Sequence, residues 1–291
     1  MPGVTDETHV TPEGRRIGWL ARGPEEGTPV LYVHGWPGSR LEQGVVPDEV
    51  LVRFDVRLIS VDRPGWGNTD PLHGLRSERV MDVLTVCDTL GIDRFPAMGV
   101  SCGGSYIFTL AAVAPERLTR IVSVSGQMPY DDEAAIKGLA ADQAAELALS
   151  RAGRSRELED TCLEERELFL TGDPYTDLSE GMSLPEKTWY ARPAVIEGVK
   201  AEMREGFRQG AEGHIDDCLT SVQPFDVDIS TIRCPVRAVH GSIDEWEPLP
   251  NLTRFLDAID DTQLIMLDGM GHFGPHLYPD LLIALATGAA G

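Results

Sequence analysis

The amino-acid sequence predicts an α/β protein with a mostly parallel, doubly wound sheet and an inserted helical segment. Short apolar runs alternate with helical patterns, which is typical of this class. In the middle of the chain, about 100 residues lack a strand pattern, which is too long for one crossover connection. The 291 residues, 42% of them hydrophobic, suffice for one large domain with an insertion.

The predicted strands are short, rich in β-branched residues and followed by turn-forming residues. Continuous apolar strands of this kind are typical of a parallel sheet that is buried on both faces. A hairpin from His9 to Arg22, around a Pro12-Glu13-Gly14 turn, precedes them. The parallel strands are predicted over residues 30–33, 56–61, 95–100, 121–124, 236–240 and 263–267.

Helical patterns separate these strands and dominate the insertion. Apolar residues recur at helical spacing over residues 80–87, an almost wholly apolar helix is predicted over 104–114, and a last one over 277–286. Within the insertion, helices are predicted over residues 133–150, 155–170 and 195–208. We expect residues 1–127 and 230–291 to form the core domain, and residues 128–229 to form a helical cap.

The charge balance narrows the classes of partner. Lys and Arg total 25 against 47 Asp and Glu, so the formal net charge is −22. Such a chain has no excess of cations to neutralise nucleic-acid phosphates or to dock on anionic membranes. We therefore expect a highly soluble protein that acts on a small molecule, as a monomer or homodimer. Its acidic field would repel anionic substrates.

The cysteines indicate neither a disulfide framework nor a metal site. Their number is odd and no two of them have C-x-x-C spacing; they are Cys87, Cys102, Cys162, Cys218 and Cys234. The first ten residues hold no apolar run typical of a signal peptide, and no stretch reaches the roughly 18 apolar residues of a membrane helix. The expectations are a cytoplasmic location and no metal ion or cofactor.

The strongest functional signal is Gly99-Val100-Ser101-Cys102-Gly103, which matches G-x-S-x-G between a predicted strand and a predicted helix. A strand that turns abruptly into a helix strains the residue at the corner, and small residues two positions away on each side permit the turn. The serine hydroxyl then projects above the sheet at the positive end of the helix dipole. Ser101 is therefore the predicted nucleophile.

A serine hydroxyl is a weak nucleophile and needs a general base. Of the seven histidines, His272 follows the last predicted strand, at the edge where catalytic groups of such sheets collect. His276, at the start of the final predicted helix, is the near alternative. We expect His34 to brace a loop and His240 to pack. We expect the other three to be solvated, namely His9, His73 and His214.

The imidazole needs a carboxylate that fixes its tautomer. Asp244 ends the segment Gly241-Ser242-Ile243-Asp244 after the penultimate predicted strand, which gives the chain order Ser, Asp, His. Glu245 and Glu247 are close alternatives, although we expect both to be exposed. The N–H groups of Cys102 and Trp36 are the predicted oxyanion donors, because Pro37 has no N–H. The Cys102 side chain is expected to point away from the site and to be structural.

The substrate pocket is expected between the sheet and the cap. Its predicted apolar wall consists of one methionine and six aromatic residues, each of which could instead pack in the core. They are Trp36, Met128, Trp189, Tyr190, Phe225, Trp246 and Phe273.

Five motifs in this order resemble the α/β-hydrolase superfamily: His34 to Gly38, Asp62 to Gly67, the G-x-S-x-G sequence, Gly241 to Asp244, and Gly271-His272. The resemblance, to serine hydrolases and esterases with a helical cap, implies a Ser-His-Asp triad. The first two motifs look like those of haloalkane dehalogenases, epoxide hydrolases, proline iminopeptidases and small esterases. The first two groups carry an aspartate nucleophile, where this chain has Ser101. Proline iminopeptidases usually carry Trp after the nucleophile, where this chain has Cys102.

The sequence therefore predicts a serine hydrolase that cleaves a carboxylic ester or lactone of a small, largely apolar substrate through an acyl-enzyme. Three kinds of alternative stay open. The first is hydrolysis of a carbon–carbon bond next to a carbonyl, and the second is a proline iminopeptidase-like activity. The third is a cofactor-free lyase, cyclase or ligand-binding protein on the same fold.

Overall fold

The central sheet confirms the predicted α/β class. The computed structural model describes residues 3–133, 135–137, 139, 141–173 and 181–289, and in it eight strands pair in the order β1-β2-β4-β3-β5-β6-β7-β8. The strands β1 and β2 form the predicted antiparallel hairpin, β2 is antiparallel to β4, and all further neighbours are parallel. The strands are β1 Gly3–Val10, β2 Arg16–Gly23, β3 Thr28–Val33, β4 Val56–Val61, β5 Phe95–Val100, β6 Leu118–Val124, β7 Val236–Gly241 and β8 Thr262–Leu267.

Helices cover both faces of this sheet. Alternate residues of β3 enter two different cores, because successive side chains of a strand point to opposite faces. Leu31 and Val33 belong to one core, and Val30 and Tyr32 to the other. The helices outside the insertion are α1 Asp48–Arg53, α2 Arg76–Arg79, α3 Met81–Thr89, α4 Gly103–Val113, α10 Leu249–Leu256 and α11 Pro279–Thr287. Among the described residues, no helix has both the length and the apolar character that crossing a bilayer requires.

Between β6 and β7 the described residues form helices and no strand. These helices, here called the helical insertion, are α5 Ala141–Arg151, α6 Arg156–Thr171, α7 Leu184–Tyr190, α8 Pro193–Gly206 and α9 Glu212–Ser221. The predicted helix over 133–150 starts only at residue 141, and residues 134, 138 and 140 of it lie outside the described part of the chain. The short helix α7 and the polar helix α9 were not predicted.

Helix α9 escaped prediction because its sequence is polar and contains a glycine in its first turn. A Cβ on Gly213 would lie 2.8 Å from the carbonyl carbon of Gly65 and from Cδ1 of Trp66. A helical glycine costs about 1 kcal/mol relative to alanine, but here it permits close approach of α9 to the core domain. Residues of the helical insertion, His214 of α9 among them, line a cavity together with Ser101, which follows the carboxyl end of β5.

Candidate active site

Ser101 occupies a strained turn between β5 and α4, with a φ of +49°. Its N–H donates to the Val124 carbonyl at 3.0 Å. The flanking glycines are required by contact: a Cβ on Gly99 would lie 2.3 Å from the Gly103 oxygen, and one on Gly103 would lie 2.2 Å from the Val33 oxygen. The left-handed conformation costs of the order of 1–3 kcal/mol and persists because the surrounding backbone holds it.

His272 and Asp244 form a buried pair. The imidazole Nδ1–H donates to Oδ2 of Asp244 at 2.9 Å, and the Asp244 side chain is 0% exposed. The other oxygen, Oδ1, accepts the backbone N–H groups of Trp246 at 3.0 Å and Glu247 at 3.1 Å. The structure therefore brings Asp244, rather than either neighbouring glutamate, into contact with the imidazole.

This pairing shifts the pKa values of both groups. Burial raises the pKa of Asp244, but the charge and hydrogen bond of His272 outweigh it and leave that pKa below its ordinary value. Burial opposes protonation of His272, yet the Asp244 carboxylate outweighs it and raises the pKa of the imidazole. A protonated His272 is thus stabilised beside Ser101, as a general base requires once it has taken a proton.

The loop that carries His272 is fixed by two side chains that the sequence analysis missed. Ser125 Oγ donates to the His272 carbonyl at 2.8 Å. Glu186, in α7 of the helical insertion, accepts the N–H of Gly271 at 2.8 Å and forms a capping box with Ser183. The spacing S-x-x-E at Ser183 was the available sequence signal for α7.

The loop from His34 to Gly38 lies directly against Ser101. A Cβ on Gly35 would lie 3.1 Å from Cβ of Ser101. The Gly35 N–H donates to the buried carboxyl of Glu42 at 2.8 Å, and its carbonyl accepts from Arg63 Nη2 at 2.8 Å. His34 braces the loop as expected, because its Nε2 accepts the Arg63 N–H at 3.0 Å.

Arg63 links this loop to the helical insertion. Its Nη1 donates to Oδ2 of Asp217 in α9 at 2.5 Å, and the same oxygen accepts Nε1 of Trp66 at 2.9 Å. Both charged side chains are buried, at 2% and 7% exposure. The position of the loop beside Ser101 is therefore coupled to the docking of α9.

The two predicted oxyanion donors lie beside Ser101. Cys102 precedes the first residue of α4, and Trp36 lines two cavities together with the serine. Within the described part of the chain, neither N–H takes part in a hydrogen bond. The Cys102 thiol donates to Oε1 of Gln127 at 3.2 Å, and burial raises its pKa well above the ordinary value. Cys102 is therefore held as a thiol rather than a nucleophilic thiolate.

Two cavities meet at Ser101. The larger, of about 530 Å³, lies under the helical insertion, and the smaller, of about 60 Å³, contains His272 in its wall. Five of the seven predicted wall residues line one or both cavities: Trp36, Trp189, Tyr190, Trp246 and Phe273. The prediction was wrong for Met128, which is buried in the sheet core, and for Phe225, which packs on Phe255.

Carboxyl groups are unusually abundant around these cavities. The small one contains Glu42 and Glu202, and the large one contains Glu146, Glu165, Asp217, Glu245 and Glu247. No lysine or arginine is among the described residues of either wall. Burial raises the pKa of Glu42 to about 7 and that of Glu247 to about 8, so both carry much of their proton at neutral pH.

Glu247 is therefore not the exposed loop acid that the sequence suggested. Its carboxyl accepts the Tyr130 hydroxyl at 2.7 Å and Nε2 of Gln127 at 3.1 Å, and the residue is 6% exposed. Glu245 is exposed at the edge of the large cavity, as expected.

The remaining histidines differ in their surroundings. His240 packs as expected, with Nε2 3.0 Å from the Glu247 carbonyl oxygen. His276 lies in the 3-10 turn Gly274–Leu277, ahead of α11, and burial lowers its pKa to about 3. His73 is exposed, but the expectation of a solvated His214 was wrong, since that side chain is 0% exposed within the helical insertion.

A mostly parallel sheet, a helical insertion before its last two strands, and a strained serine between a central strand and its helix define the class as an α/β hydrolase. The family model of the alpha/beta hydrolase fold matches residues 28–274. The chain therefore belongs to the α/β-hydrolase family and is an enzyme.

Relatives of this chain have several activities. It is 40% identical over 105 residues to a 2-hydroxy-6-oxononadienedioate/2-hydroxy-6-oxononatrienedioate hydrolase of Cupriavidus pinatubonensis, covering 33% of this chain and 35% of the relative. It is 29% identical over 116 residues to a proline iminopeptidase of Neisseria gonorrhoeae, covering 38% and 36%. The chain thus matches about a third of each of these curated relatives.

Solved structures extend the likeness over the whole fold. A thermophilic esterase from Thermogutta terrifontis superposes with a TM-score of 0.66 at 20% identity, covering 97% of this chain and 95% of that one. At this level of identity, the likeness shows the fold alone.

Proposed function

We propose that this enzyme is a serine hydrolase that cleaves a carboxylic ester or lactone through an acyl-enzyme. The observation that carries the proposal is the cavity wall shared by Ser101 and His272, with the imidazole hydrogen-bonded to the buried Asp244. The serine is the nucleophile, the histidine the general base, and the aspartate fixes the tautomer of the imidazole.

In the first step, Oγ of Ser101 attacks the ester carbonyl carbon while His272 accepts the hydroxyl proton. The N–H groups of Trp36 and Cys102, which make no hydrogen bond in the described chain, stabilise the negative charge on the carbonyl oxygen. His272 then gives its proton to the leaving alcohol. Water, deprotonated by the same imidazole, hydrolyses the acyl-enzyme.

The two cavities suggest how the substrate lies. Because His272 protonates the leaving group, the small cavity beside it receives the alcohol, and its volume of about 60 Å³, against about 530 Å³ for the larger cavity, favours a small alcohol. The larger cavity then receives the acyl group beneath the helical insertion, which we propose to be a cap formed by residues 128–229.

The described walls of both cavities hold no lysine or arginine, which argues for an uncharged or cationic acyl group. A dioate, as named for the Cupriavidus relative, would meet several glutamates and no lysine or arginine among the described wall residues. Carbon–carbon bond hydrolysis of such an anion is therefore the less favoured alternative.

The same acidic wall supports a second candidate function, the hydrolysis of an ester or amide that carries an ammonium group. The exposed Glu245 lines the cavity on the acyl side of Ser101 in the proposed orientation, where its carboxylate can pair with an ammonium group. Matched methyl esters with and without an α-amino group separate the two candidates. A higher kcat/KM for the amino ester supports the second, and equal values favour the neutral ester.

The proposal is tested with a fluorophosphonate probe and with methyl esters followed by pH-stat titration. We expect the probe to label Ser101, and Ser101→Ala to abolish labelling and to lower kcat by about 10³-fold or more. Ser150→Ala, which removes a buried hydroxyl bonded to a backbone carbonyl in α5, is the matched control. Wild-type turnover in Ser101→Ala would refute the assignment.

A further inference from the structure

We propose that the helical insertion contains a zinc site formed by Cys162, His214 and Cys218, with a glutamate as fourth ligand. No metal site was predicted from the sequence, because it contains no C-x-x-C pair. In the structure, the ligand atoms of these three residues lie within 4.8 Å of one another. The site does not depend on the function proposed for Ser101.

The spacing of the ligands explains how three helices converge on one point. His214 and Cys218 are four residues apart in α9 and therefore lie on the same face. Cys162 and Glu165 are three residues apart in α6, and Glu146 comes from α5. A 56-residue separation between the two cysteines hides this arrangement from any short motif.

The distances suit a tetrahedral ion that binds sulfur. The two Sγ atoms are 4.0 Å apart, close to the about 3.8 Å between two sulfurs that each lie about 2.3 Å from a tetrahedral zinc. Glu146 Oε1 lies 3.1 Å from Sγ of Cys218 and 3.8 Å from Nε2 of His214. Thiolate and imidazole ligands together favour zinc over calcium or magnesium.

The polar atoms of this cluster are incompletely satisfied by the protein. Cys162, His214 and Cys218 are 0%, 1% and 6% exposed. Neither ring nitrogen of His214 makes a hydrogen bond of acceptable geometry, although Oε2 of Glu165 lies 3.2 Å from Nε2. A buried imidazole among two thiols and two carboxyl groups is an arrangement that a divalent cation would satisfy in charge and in bonding.

The ion would join α5, α6 and α9, which share a small apolar cluster and, through Arg154, an ionic link between Glu159 of α6 and Glu212 of α9. That cluster contains Leu158, Ala211 and Ile215 beside the two cysteines. Helix α9 also carries Asp217, the partner of Arg63, and the His214 ring lies 4.6 Å from that of Trp36. Zinc binding, with release of both thiol protons to solvent, would therefore rigidify the wall of the large cavity and the loop beside Ser101.

The test uses the full-length protein after removal of metal by a chelator under reducing conditions. We expect one equivalent of Zn²⁺ to bind, to raise Tm and to slow alkylation of Cys162 and Cys218 but not of Cys87 and Cys234. One equivalent of Co²⁺ should give the near-ultraviolet charge-transfer absorption of cobalt–thiolate bonds. This absorption reports the ligands directly and needs no variant.

The double variant Cys162→Ala/Cys218→Ala should bind Zn²⁺ at least about 100-fold more weakly. Cys87→Ala/Cys234→Ala, which removes two buried thiols outside the helical insertion, is the matched control and should bind as wild type. Three results would overturn the proposal: no Zn²⁺ binding by the wild type, Co²⁺ binding without thiolate absorption, or wild-type Zn²⁺ affinity in Cys162→Ala/Cys218→Ala.

Discussion

Replacing Asp244 by asparagine tests the link between the buried carboxylate and the imidazole. The asparagine side chain would keep an oxygen for the N–H groups of Trp246 and Glu247 but would carry no charge opposite His272. At about 4 Å and an effective dielectric constant of about 20, the attraction between the two charges is about 4 kcal/mol. At about 1.4 kcal/mol per tenfold, kcat should fall by about 10³-fold.

The pH profile gives a second and independent readout. The imidazole must be neutral to accept a proton, so activity falls as pH decreases through the pKa of His272. Asp244 raises that pKa, whereas burial lowers it. In the wild type, the acid limb of kcat/KM should therefore lie above pH 6.5, the ordinary pKa of the imidazole. In Asp244→Asn, it should move to lower pH.

The assay is pH-stat titration of a methyl ester between about pH 5 and 9, a range that spans the ordinary titration of histidine. Asp268→Asn, which removes an exposed carboxylate four residues before His272, is the matched control and should retain the wild-type profile. The reasoning is refuted if Asp244→Asn keeps kcat within about threefold of wild type, or if its acid limb stays in place.

Three further outcomes follow from the same contacts. Esters with a methyl alcohol and a bulky acyl group should have a higher kcat/KM than acetates of bulky alcohols; the reverse order, measured by pH-stat titration, would contradict the proposed orientation. Arg63→Met should lower the free energy of unfolding by about 1.5–3 kcal/mol, because one buried charged hydrogen bond to Asp217 is lost while Arg79 still pairs with that carboxylate; a loss below about 1 kcal/mol in urea denaturation would show that the Arg63–Asp217 pair is not stabilising. The stability of Glu247→Gln relative to the wild type should increase as pH rises from 4.5 to about 8. Over that interval the folded wild type keeps the Glu247 proton while the unfolded chain loses it, so the wild type loses stability and the glutamine variant does not. A difference in Tm that does not grow with pH would refute the raised pKa.

The sheet could be predicted from the sequence because its strands are buried on both faces. The strands β4 and β5 occupy the predicted ranges 56–61 and 95–100 without change, since each is a mostly apolar run followed by turn formers. The positions of Ser101 and His272 after strands could be predicted for the same reason. The carboxyl ends of parallel strands meet at one edge, so these groups must be close together.

The helical insertion was predicted less well because its polar residues are buried in the folded protein. His214 and Asp217 look like solvated positions in the sequence, yet both are buried residues of α9. An apolar side chain likewise does not say whether it lines a cavity or a core, which is why Met128 and Phe225 were placed wrongly. The environment of such residues depends on helices that come together only in the complete fold.

The Arg63–Asp217 contact has a consequence for substrate access. A movement that lifted α9 away from the core would break the buried contacts of Asp217 with both Arg63 and Arg79, together with the close packing of Gly213 on Gly65. Substrate and product should therefore exchange past exposed Glu245 at the edge of the large cavity while α9 stays in place. Substitutions there should alter the rate of entry without disturbing the catalytic groups.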